Sequence, residues 1–311
     1  MLLSQPSLFS NSVGSRQWEY VTRRFKSIQS NLSLLPQEVE DAETKLGGVI
    51  RSVNRAYRNE SCVGYYMLAG SWGKRTAIHP PSDIDLLCFL PAEVFHQFNV
   101  REGNKPSQLL QHVRGSLGTT YPQTRIRGDG QVVVIEFNSI KIEVVPAFHG
   151  QDGGVVIGDT NDGGRWKSID PNAEIYHLDC SDQSFNGNVR KITRIVKQWK
   201  QHCDVPIKSF HIERLVQEAL AQMGWGGSNE FWFDWIIRDT FLYMWGRAGG
   251  GFYMPGRYLE WIDLGDDWRS KAWTAYERAE KACSFERDNM NLSAGAEWQK
   301  IFGNVIPEMV T

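Results

Sequence analysis

The chain has 311 residues, of which 41% are hydrophobic and 23% are charged, so it can bury a core and is not a disordered protein. Thirty-four Lys and Arg residues oppose 36 Asp and Glu residues, and the net charge of -2 argues against a protein that grips long nucleic acid. The sequence has no 18-residue apolar stretch, which argues against a membrane span. It begins without the basic and apolar regions of a signal peptide. We therefore expect a cytoplasmic protein.

The five cysteines are widely spaced and include no C-x-x-C pair. An odd number of scattered cysteines is typical of reduced thiols in the cytosol and argues against a disulfide framework or a zinc ribbon. His202 and Cys203 form the only adjacent His/Cys pair, and two ligands do not complete a tetrahedral zinc site. We expect no zinc.

In the first half of the chain, hydrophobic spacing and turn signals predict two helices, two strands, a hairpin and a surface loop. The Pro at position 36 is typical of the first turn of a helix, and the Gly- and Asp-rich segment predicts the loop. In chain order these elements are 18–34, 36–58, 62–68, 83–90, the pair 131–137 and 140–145, and 150–164.

The composition changes after about residue 185. Asn188 is a predicted helix cap, and helical patterns cover 189–202, 210–223, 230–245 and 268–283. Nine of the twelve tryptophans lie beyond residue 185, and we expect those beyond residue 220 to fill a bulky aromatic core. Residues 246–256 predict a flexible loop. Residues 1–185 are therefore expected to form N-terminal helices and a mixed α/β catalytic core, and residues 186–311 an all-helical domain.

Two aspartates carry the clearest chemical signal. In the run Ser82-Asp83-Ile84-Asp85-Leu86, a strand places Asp83 and Asp85 on one face because successive side chains alternate. Adjacent carboxylates repel each other, and a bound divalent cation relieves that repulsion. Mg²⁺ prefers oxygen ligands, typically one or two carboxylates plus substrate phosphates. The pair therefore predicts a Mg²⁺ site, which Mn²⁺ could also fill. The alternative is a solvated strand edge.

Glu143 is a charge within the otherwise apolar run 140–145. If this strand lies beside the Asp83 strand, the three carboxylates form a cluster that can hold two metal ions about 3.5–4 Å apart. One ion would activate an attacking hydroxyl, and the other would bind a triphosphate and stabilise the leaving pyrophosphate. The alternative is that Glu143 is a surface residue of an edge strand.

Gly70 and Ser71 stand at the end of a predicted strand, twelve residues ahead of the Asp-x-Asp motif. Glycine lets the backbone approach a phosphate closely, and the Ser hydroxyl and backbone N–H groups can donate to it. A Gly-Ser pair alone is weak, but this position strengthens the prediction of a phosphate-binding turn.

On these residues the sequence resembles the DNA polymerase β-type nucleotidyltransferase superfamily and, more narrowly, the bacterial cGAS/DncV-like nucleotidyltransferases. The resemblance extends from the two motifs to the runs 142–148, 190–199 and 208–213, and covers about residues 60–275. It implies an α+β fold with a mixed sheet and flanking helices, followed by a C-terminal helical domain, with the active site in the cleft between them.

The resemblance also implies roles for eight residues. Those that would hold Mg²⁺ and carry catalysis are Asp83, Asp85 and Glu143. Those that would bind the nucleotide are Gly70, Ser71, Lys197, Ser209 and Phe210. Of the nucleotide-binding residues, Phe210 would stack on a base. The other four would contact the triphosphate: Gly70, Ser71, Lys197 and Ser209.

Each carried-over residue also has an ordinary structural explanation. Lys197 could belong to a solvated helix face with Arg190 and Arg194, Ser209 could cap a helix, and Phe210 could be core. The family usually has Asp at the third carboxylate, whereas this chain has Glu143. The chain also lacks the Cys/His cluster of the animal relatives' zinc-bearing insertion, which argues against activation by long DNA.

Members of this family make cyclic di- or trinucleotides from ATP, GTP or other NTPs, and the products switch on a partner effector in antiphage defence. The resemblance therefore implies a metal-dependent cyclic oligonucleotide synthase that releases pyrophosphate. Two alternatives stay open. One is a non-cyclising nucleotidyltransferase acting on RNA, protein or a small molecule, and the other is a catalytically dead nucleotide-binding scaffold.

Overall fold

The computed structural model describes residues 14–151 and 153–311. The chain forms two compact units. The sheet unit is Leu34–Ile175, and the helical unit joins the first helix to Tyr176–Thr311. No helix in the described residues has both the length and the hydropathy needed to cross a bilayer. The predicted domain division at residue 185 stays a prediction.

The sheet unit contains seven strands and four helices within the described residues. The strands are β1 (Tyr66–Leu68), β2 (Asp83–Phe89), β3 (Arg125–Asp129), β4 (Val132–Glu136), β5 (Lys141–His149), β6 (Val155–Asp159) and β7 (Arg165–Ile169). The helices are α2 (Pro36–Arg58), α3 (Gly70–Gly73), α4 (Ala92–Asn99) and α5 (Lys105–Thr120).

The strands form one mixed sheet in the order β1-β2-β5-β4-β3, and β6 pairs with both β5 and β7. β2 and β5 are parallel, whereas every other pair is antiparallel. A parallel pair needs a long crossover, and residues 90–140 supply it with α4, α5, β3 and β4. The two strands that carry the predicted carboxylates are therefore neighbours at the centre of the sheet.

Strict alternation along β2 and β5 sorts their side chains between two faces. Ile84, Leu86, Ile142 and Val144 are fully buried in a cluster that includes residues of α2 and α5. Fully burying a side chain of this kind contributes roughly 1.5–3 kcal/mol. The opposite face is apolar at one end only, where Leu87, Phe89, Val145 and Ala147 meet residues of β6. Its other end carries charged side chains.

The helical unit contains α1 and the elements after the sheet. The unit boundary falls within α6 (Pro171–Ser184). The other elements are α1 (Gly14–Asn31), α7 (Asn188–His202), α8 (Ser209–Gln222), α9 (Phe233–Arg247), β8 (Gly251–Met254), β9 (Arg257–Asp263), α10 (Arg269–Arg287) and α11 (Asn291–Phe302).

Aromatic side chains and a buried arginine form the core of the helical unit. Trp199, Trp268 and Trp298 are almost fully buried. Arg24 is fully buried as well, and its Nε donates to Glu286 at 2.8 Å. The Arg24 guanidinium also donates to the backbone carbonyls of residues 307 and 308, at 2.5 and 2.9 Å. These oxygen atoms neutralise and hydrogen-bond the buried cation.

Several predicted elements are confirmed, and the differences have local physical causes. α2 has its predicted bounds, and β4 and β5 form the predicted hairpin. The predicted loop 150–164 is wrong, because it contains β6. Gly158 lies within that strand, and a Cβ at this position would come within 2.8 Å of Pro106. The glycine therefore permits close packing and does not form a turn.

The prediction of an all-helical second half is also wrong, because β8 and β9 form a hairpin that begins inside the expected loop 246–256. A Cβ at Gly251 would lie 2.5 Å from the Trp261 ring, so this glycine makes room for an aromatic side chain. Trp261 and Trp273 are partly exposed rather than core. Asn188 is not the cap of α7 but its first residue, and its side chain donates to the carbonyl of Gly226.

Candidate active site

Two half-buried carboxylates project from one face of β2. Asp83 and Asp85 alternate with Ile84 and Leu86, which are fully buried on the opposite face. The apolar residues fix the orientation of the strand, because a one-residue slip would bury both carboxylates. The sequence prediction for this pair is confirmed in geometry: both side chains share the face that carries charge.

Glu143 lies directly beside Asp85. In the parallel pair of β2 and β5, Asp85 is in register with Glu143 and Asp83 with Lys141. Neighbouring strands lie about 4.7–4.9 Å apart, and residues in register project from the same face. The expectation that the Glu143 strand lies beside the Asp83 strand is therefore confirmed. Three carboxylates occupy one small area of the sheet.

The electrostatics of Glu143 reflect this crowding. Its partial burial raises the pKa of the Glu143 carboxyl, and the charges of Asp85 and Asp83 raise it further. Asp129 acts in the same direction, whereas Arg127 lowers the pKa. Like charges held together in this way are stabilised by a cation.

Arg127 and Asp129 were missed by the sequence reasoning. β3 pairs with β4, and β4 pairs with β5, so Arg127 stands in the same cross-strand row as Glu143, through Val134. A sequence signal for β3 was present, because Asp-Gly is a typical hairpin dipeptide. In the structure Asp129 pairs with Val132, so Gly130 and Gln131 form the turn, with a φ of +60° at Gly130.

The donor set fits a hard divalent cation. Asp83, Asp85 and Glu143 offer carboxylate oxygens only, which are the ligands that Mg²⁺ and Mn²⁺ prefer. Within residues 14–151 and 153–311, no three His, Cys, Asp or Glu side chains converge as a preformed metal site. The fit therefore rests on ligand chemistry, shared strand face and mutual repulsion.

Gly70 and Ser71 open the short helix α3, which begins just after β1 and reaches Asp85. The Ala69 amide donates to the Asp85 carbonyl at 2.9 Å. Gly70 has a φ of +52°, and a Cβ there would lie 1.7 Å from Oδ2 of Asp85. Only glycine meets both conditions without strain. The turn that the sequence predicts to bind phosphate therefore lies against the carboxylate of Asp85.

Backbone hydrogen bonds and a buried ion pair stabilise the same turn. The amides of Thr76 and Ala77 donate to the Ser71 carbonyl at 2.8 and 3.2 Å. Lys74 is buried and forms an ion pair with Glu174 at 2.8 Å. Sequence reasoning missed this pair, because nothing local indicates that residues one hundred apart meet.

The remaining predicted nucleotide contacts belong to the helical unit. Lys197 in α7 is buried, and its Nζ donates to Glu213 of α8 at 2.8 Å. Ser209 is the first residue of α8 and accepts from Lys200 at 3.3 Å. Phe210 packs against Phe252 with ring centroids 5.5 Å apart. These residues cluster where α7 and α8 meet, and their nucleotide roles stay predictions.

Trp166 belongs to the packing of the sheet unit. It donates its Nε1 to Asn99 at 3.0 Å and packs against Phe95 and Phe148. Glu213 was missed, although a charge beside the apolar positions of α8 was a visible signal. Its carboxylate holds the ammonium of Lys197 in a fixed position.

Comparison with known proteins agrees with this geometry. The sequence profile of the Second Messenger Oligonucleotide or Dinucleotide Synthetase domain matches residues 20–180, which is slightly more than half of the chain. The chain therefore belongs to this family, the cGAS/DncV-like nucleotidyltransferases, which synthesise cyclic oligonucleotides. The fold class, the family and the enzyme class expected from the sequence are confirmed.

Three similar proteins illustrate the relationship. A probable cyclic nucleotide synthase of Bacillus cereus (strain VD146) is 22% identical over 297 residues, covering 83% of this chain and 86% of the relative. The CBASS oligonucleotide cyclase CdnC of Escherichia coli (strain KTE188) is 23% identical, covering 69% of each chain.

The third is a solved structure, the cyclic AMP-GMP synthase DncV of Vibrio cholerae in complex with a linear intermediate. It has a TM-score of 0.64 and 14% identity, and the match covers 94% of this chain and 88% of that one. At this identity the likeness concerns the fold.

Proposed function

We propose that the chain is a Mg²⁺- or Mn²⁺-dependent synthase that joins NTPs into a cyclic di- or trinucleotide and releases pyrophosphate. The single observation that carries the proposal is the register of Asp85 with Glu143 beside the Gly70 turn. The glycine turn lies against Asp85, which shares its sheet face with Asp83 and Glu143, and this arrangement supports a phosphate site beside a divalent cation. A bound divalent cation supplies charge neutralisation and a lowered pKa for an attacking hydroxyl.

The chain's own residues divide the work. Gly70 and Ser71 bind the donor triphosphate through backbone N–H groups and a hydroxyl. Asp83 and Asp85 would hold the divalent cation, which would neutralise charge on the triphosphate, and Glu143 faces the attacking ribose hydroxyl. An oxygen of that ribose forms a bond to the α-phosphorus, the bond to the β-phosphate oxygen breaks, and pyrophosphate leaves. The hydroxyl proton passes to solvent water beside Glu143.

The ring closes when the same step occurs a second or third time on the linear product. The intermediate held by the Vibrio cholerae relative, 5′ pppA(3′,5′)pG, supports a linear intermediate made from ATP and GTP. Lys197, Ser209 and Phe210 are proposed nucleotide contacts on the family resemblance. The naming of a relative as a CBASS oligonucleotide cyclase supports an antiphage signal that acts through a downstream effector in the cytoplasm.

The test is a product analysis. The purified chain is incubated with all four NTPs and Mg²⁺ or Mn²⁺, treated with phosphatase, and analysed by mass spectrometry. We expect a phosphatase-resistant cyclic species that disappears in Asp83→Asn/Asp85→Asn. The matched control is Asp162→Asn, an exposed carboxylate in a positive-φ turn, which should leave product formation unchanged.

The other outcomes are equally informative. Linear products that depend on both aspartates would contradict cyclisation and leave nucleotidyl transfer. Unchanged product in Asp83→Asn/Asp85→Asn would contradict the assignment of the site. Nucleotide binding measured by calorimetry without turnover at either metal would contradict the enzyme and favour a nucleotide-binding scaffold.

A further inference from the structure

A basic cavity lies wholly within the helical unit. Its volume is about 290 Å³, and its walls come from the end of α7, the first half of α10 and the end of α11. Three cationic side chains line it, Lys271, Arg278 and Lys300. None of the described residues that line it carries a carboxylate. This is unexpected in a chain with a net charge of -2.

The cations are only partly neutralised by their neighbours. Glu297 accepts from Lys300 at 2.7 Å and from Arg278 at 3.1 Å. Burial opposes the charge of Glu297, but these hydrogen bonds outweigh it and lower the pKa of the carboxyl. Lys271 donates to the neutral backbone carbonyls of Cys203 and Asp204, at 2.6 and 2.7 Å. Among the described lining residues and their ion-pair partner, three positive charges thus face one negative charge, an excess of two.

The rest of the lining combines the small polar side chains of Cys203, Ser270 and Thr274 with an apolar part. Trp199, Ala275 and Ile301 are almost fully buried and form the floor. A pocket of this size is at the small end of ligand sites. Its cationic rim and apolar floor suit an organic anion rather than a bare inorganic ion, because the floor gains nothing from a fully hydrated ligand.

The charge excess also selects the kind of anion. A phosphate monoester carries about −1.5 to −2 charges at pH 7, which matches an excess of two. Arg278 presents a planar set of N–H donors suited to a phosphate, and Lys271 and Lys300 add ammonium groups. A phosphodiester group carries a single negative charge and matches less well.

We propose that this cavity binds a small organic phosphate monoester, with the phosphate on Lys271, Arg278 and Lys300 and the organic group on the apolar floor. The site uses none of the residues assigned to nucleotidyl transfer. The proposal is therefore independent of the proposed function.

The test is isothermal titration calorimetry on the full chain, with phenyl phosphate as the probe. We expect phenyl phosphate to bind at least ten times more tightly than inorganic phosphate, and phenol to give no heat of binding. Arg278→Gln/Lys300→Gln should weaken binding at least tenfold. Lys281→Gln, an exposed lysine on the same helix, should leave the affinity unchanged.

A further variant guards against misfolding. Removing both cations leaves Glu297 buried without its partners. We therefore also titrate a triple variant that carries Glu297→Gln in addition, and circular dichroism tests whether both variants are folded. Equal affinity in the wild type and the triple variant would overturn the proposal. So would displacement of phenyl phosphate by ATP in wild type and triple variant alike, since the probe would then occupy a nucleotide site.

Discussion

The sheet unit holds like charges at its surface, whereas the helical unit holds opposite charges in its core. Asp83, Asp85 and Glu143 are half-buried on one face of the sheet, where burial, reinforced by the charges of the two aspartates, raises the pKa of Glu143. Arg24 and Glu286 are both buried and joined at 2.8 Å. Clustered like charge near solvent calls for an external cation, whereas paired charge in a core is satisfied within the chain.

This difference separates charged residues that are expected to take part in catalysis from charged residues that stabilise the fold. The carboxylates of the sheet are not needed for its packing, because the opposite face of β2 and β5 supplies the apolar core. The ion pair of the helical unit is part of its packing. Substitutions in the first group should therefore change activity at constant stability, and substitutions in the second should change stability first.

The largest expected effect on activity outside the carboxylates is that of Gly70→Ala. The new Cβ would collide with Asp85, and the alanine backbone would have to adopt a positive φ. Displacing catalytic groups by about 1 Å can cost on the order of 100-fold in rate, so we expect at least that loss in nucleotide turnover. Gly130→Ala also adds a Cβ at a positive φ, but into open space. It should keep turnover within a few-fold, and equal losses in both variants would contradict this account.

On the helical side, Arg24→Met should be the most destabilising change. It leaves the carboxylate of Glu286 buried and without its cation, and breaking such a pair costs about 3–5 kcal/mol. The free energy of unfolding from urea denaturation measures the loss. The control is Arg287→Met, whose ion pair with Asp288 is exposed and should contribute almost nothing. If both variants had wild-type stability, the core pair would not be structural.

A smaller effect concerns pH. Burial, reinforced by the charge of Glu286, raises the pKa of Asp234 to about 8. Its folded-state pKa lies above the unfolded one, so the native state binds the proton more tightly and stability falls as pH rises from about 4 towards 8. The slope contributed is at most about 1.4 kcal/mol per pH unit. Asp234→Asn should remove that slope in urea melts at pH 5, 6.5 and 8.

The control for this pH effect is Asp266→Asn, an exposed position at a loop. Its stability should follow the wild-type pH dependence. A wild-type protein whose unfolding free energy stays constant over the same range would show that Asp234 is ionised in the folded state.

The smallest expected effect is that of Glu143→Asp. The family usually has Asp here, and shortening the side chain by one methylene keeps the ligand type while moving the oxygens. Turnover should stay within about tenfold, whereas Glu143→Gln, which removes the charge, should lose at least 100-fold, since metal and acceptor contacts act on the reacting atoms. Equal rates for the Asp and Gln variants would show that this carboxylate is not a ligand.

Local signals explain what could be predicted from the sequence. The Pro36–Arg58 helix, the alternation around Asp83 and the apolar run that holds Glu143 are periodic patterns, and the structure has them in place. The adjacency of β2 and β5 was the condition for a three-carboxylate cluster, and the strand register meets it. The close contact of Gly70 with Asp85 was not part of the prediction, because it depends on how the turn after β1 packs on β2.

The partners of these residues could not be predicted, because partner choice depends on tertiary packing. The pairing of Lys74 with Glu174 and of Lys197 with Glu213 joins separate elements, and no spacing rule links them. Glycines were misleading in two places: Gly158 and Gly251 lie in strands where another side chain crowds the backbone, whereas turn statistics assign such glycines to loops.

The parallel pairing of β2 with β5 has a consequence for folding. The carboxylates of the site come together only when β2 pairs with β5, after residues 90–140 have formed the crossover between the two strands. This pairing joins residues far apart in the sequence, so we expect it to form slowly. Catalytic competence should thus appear with the closing of the central strand pair, behind the more local helical contacts. Regain of nucleotide turnover after dilution from denaturant would report that late event directly.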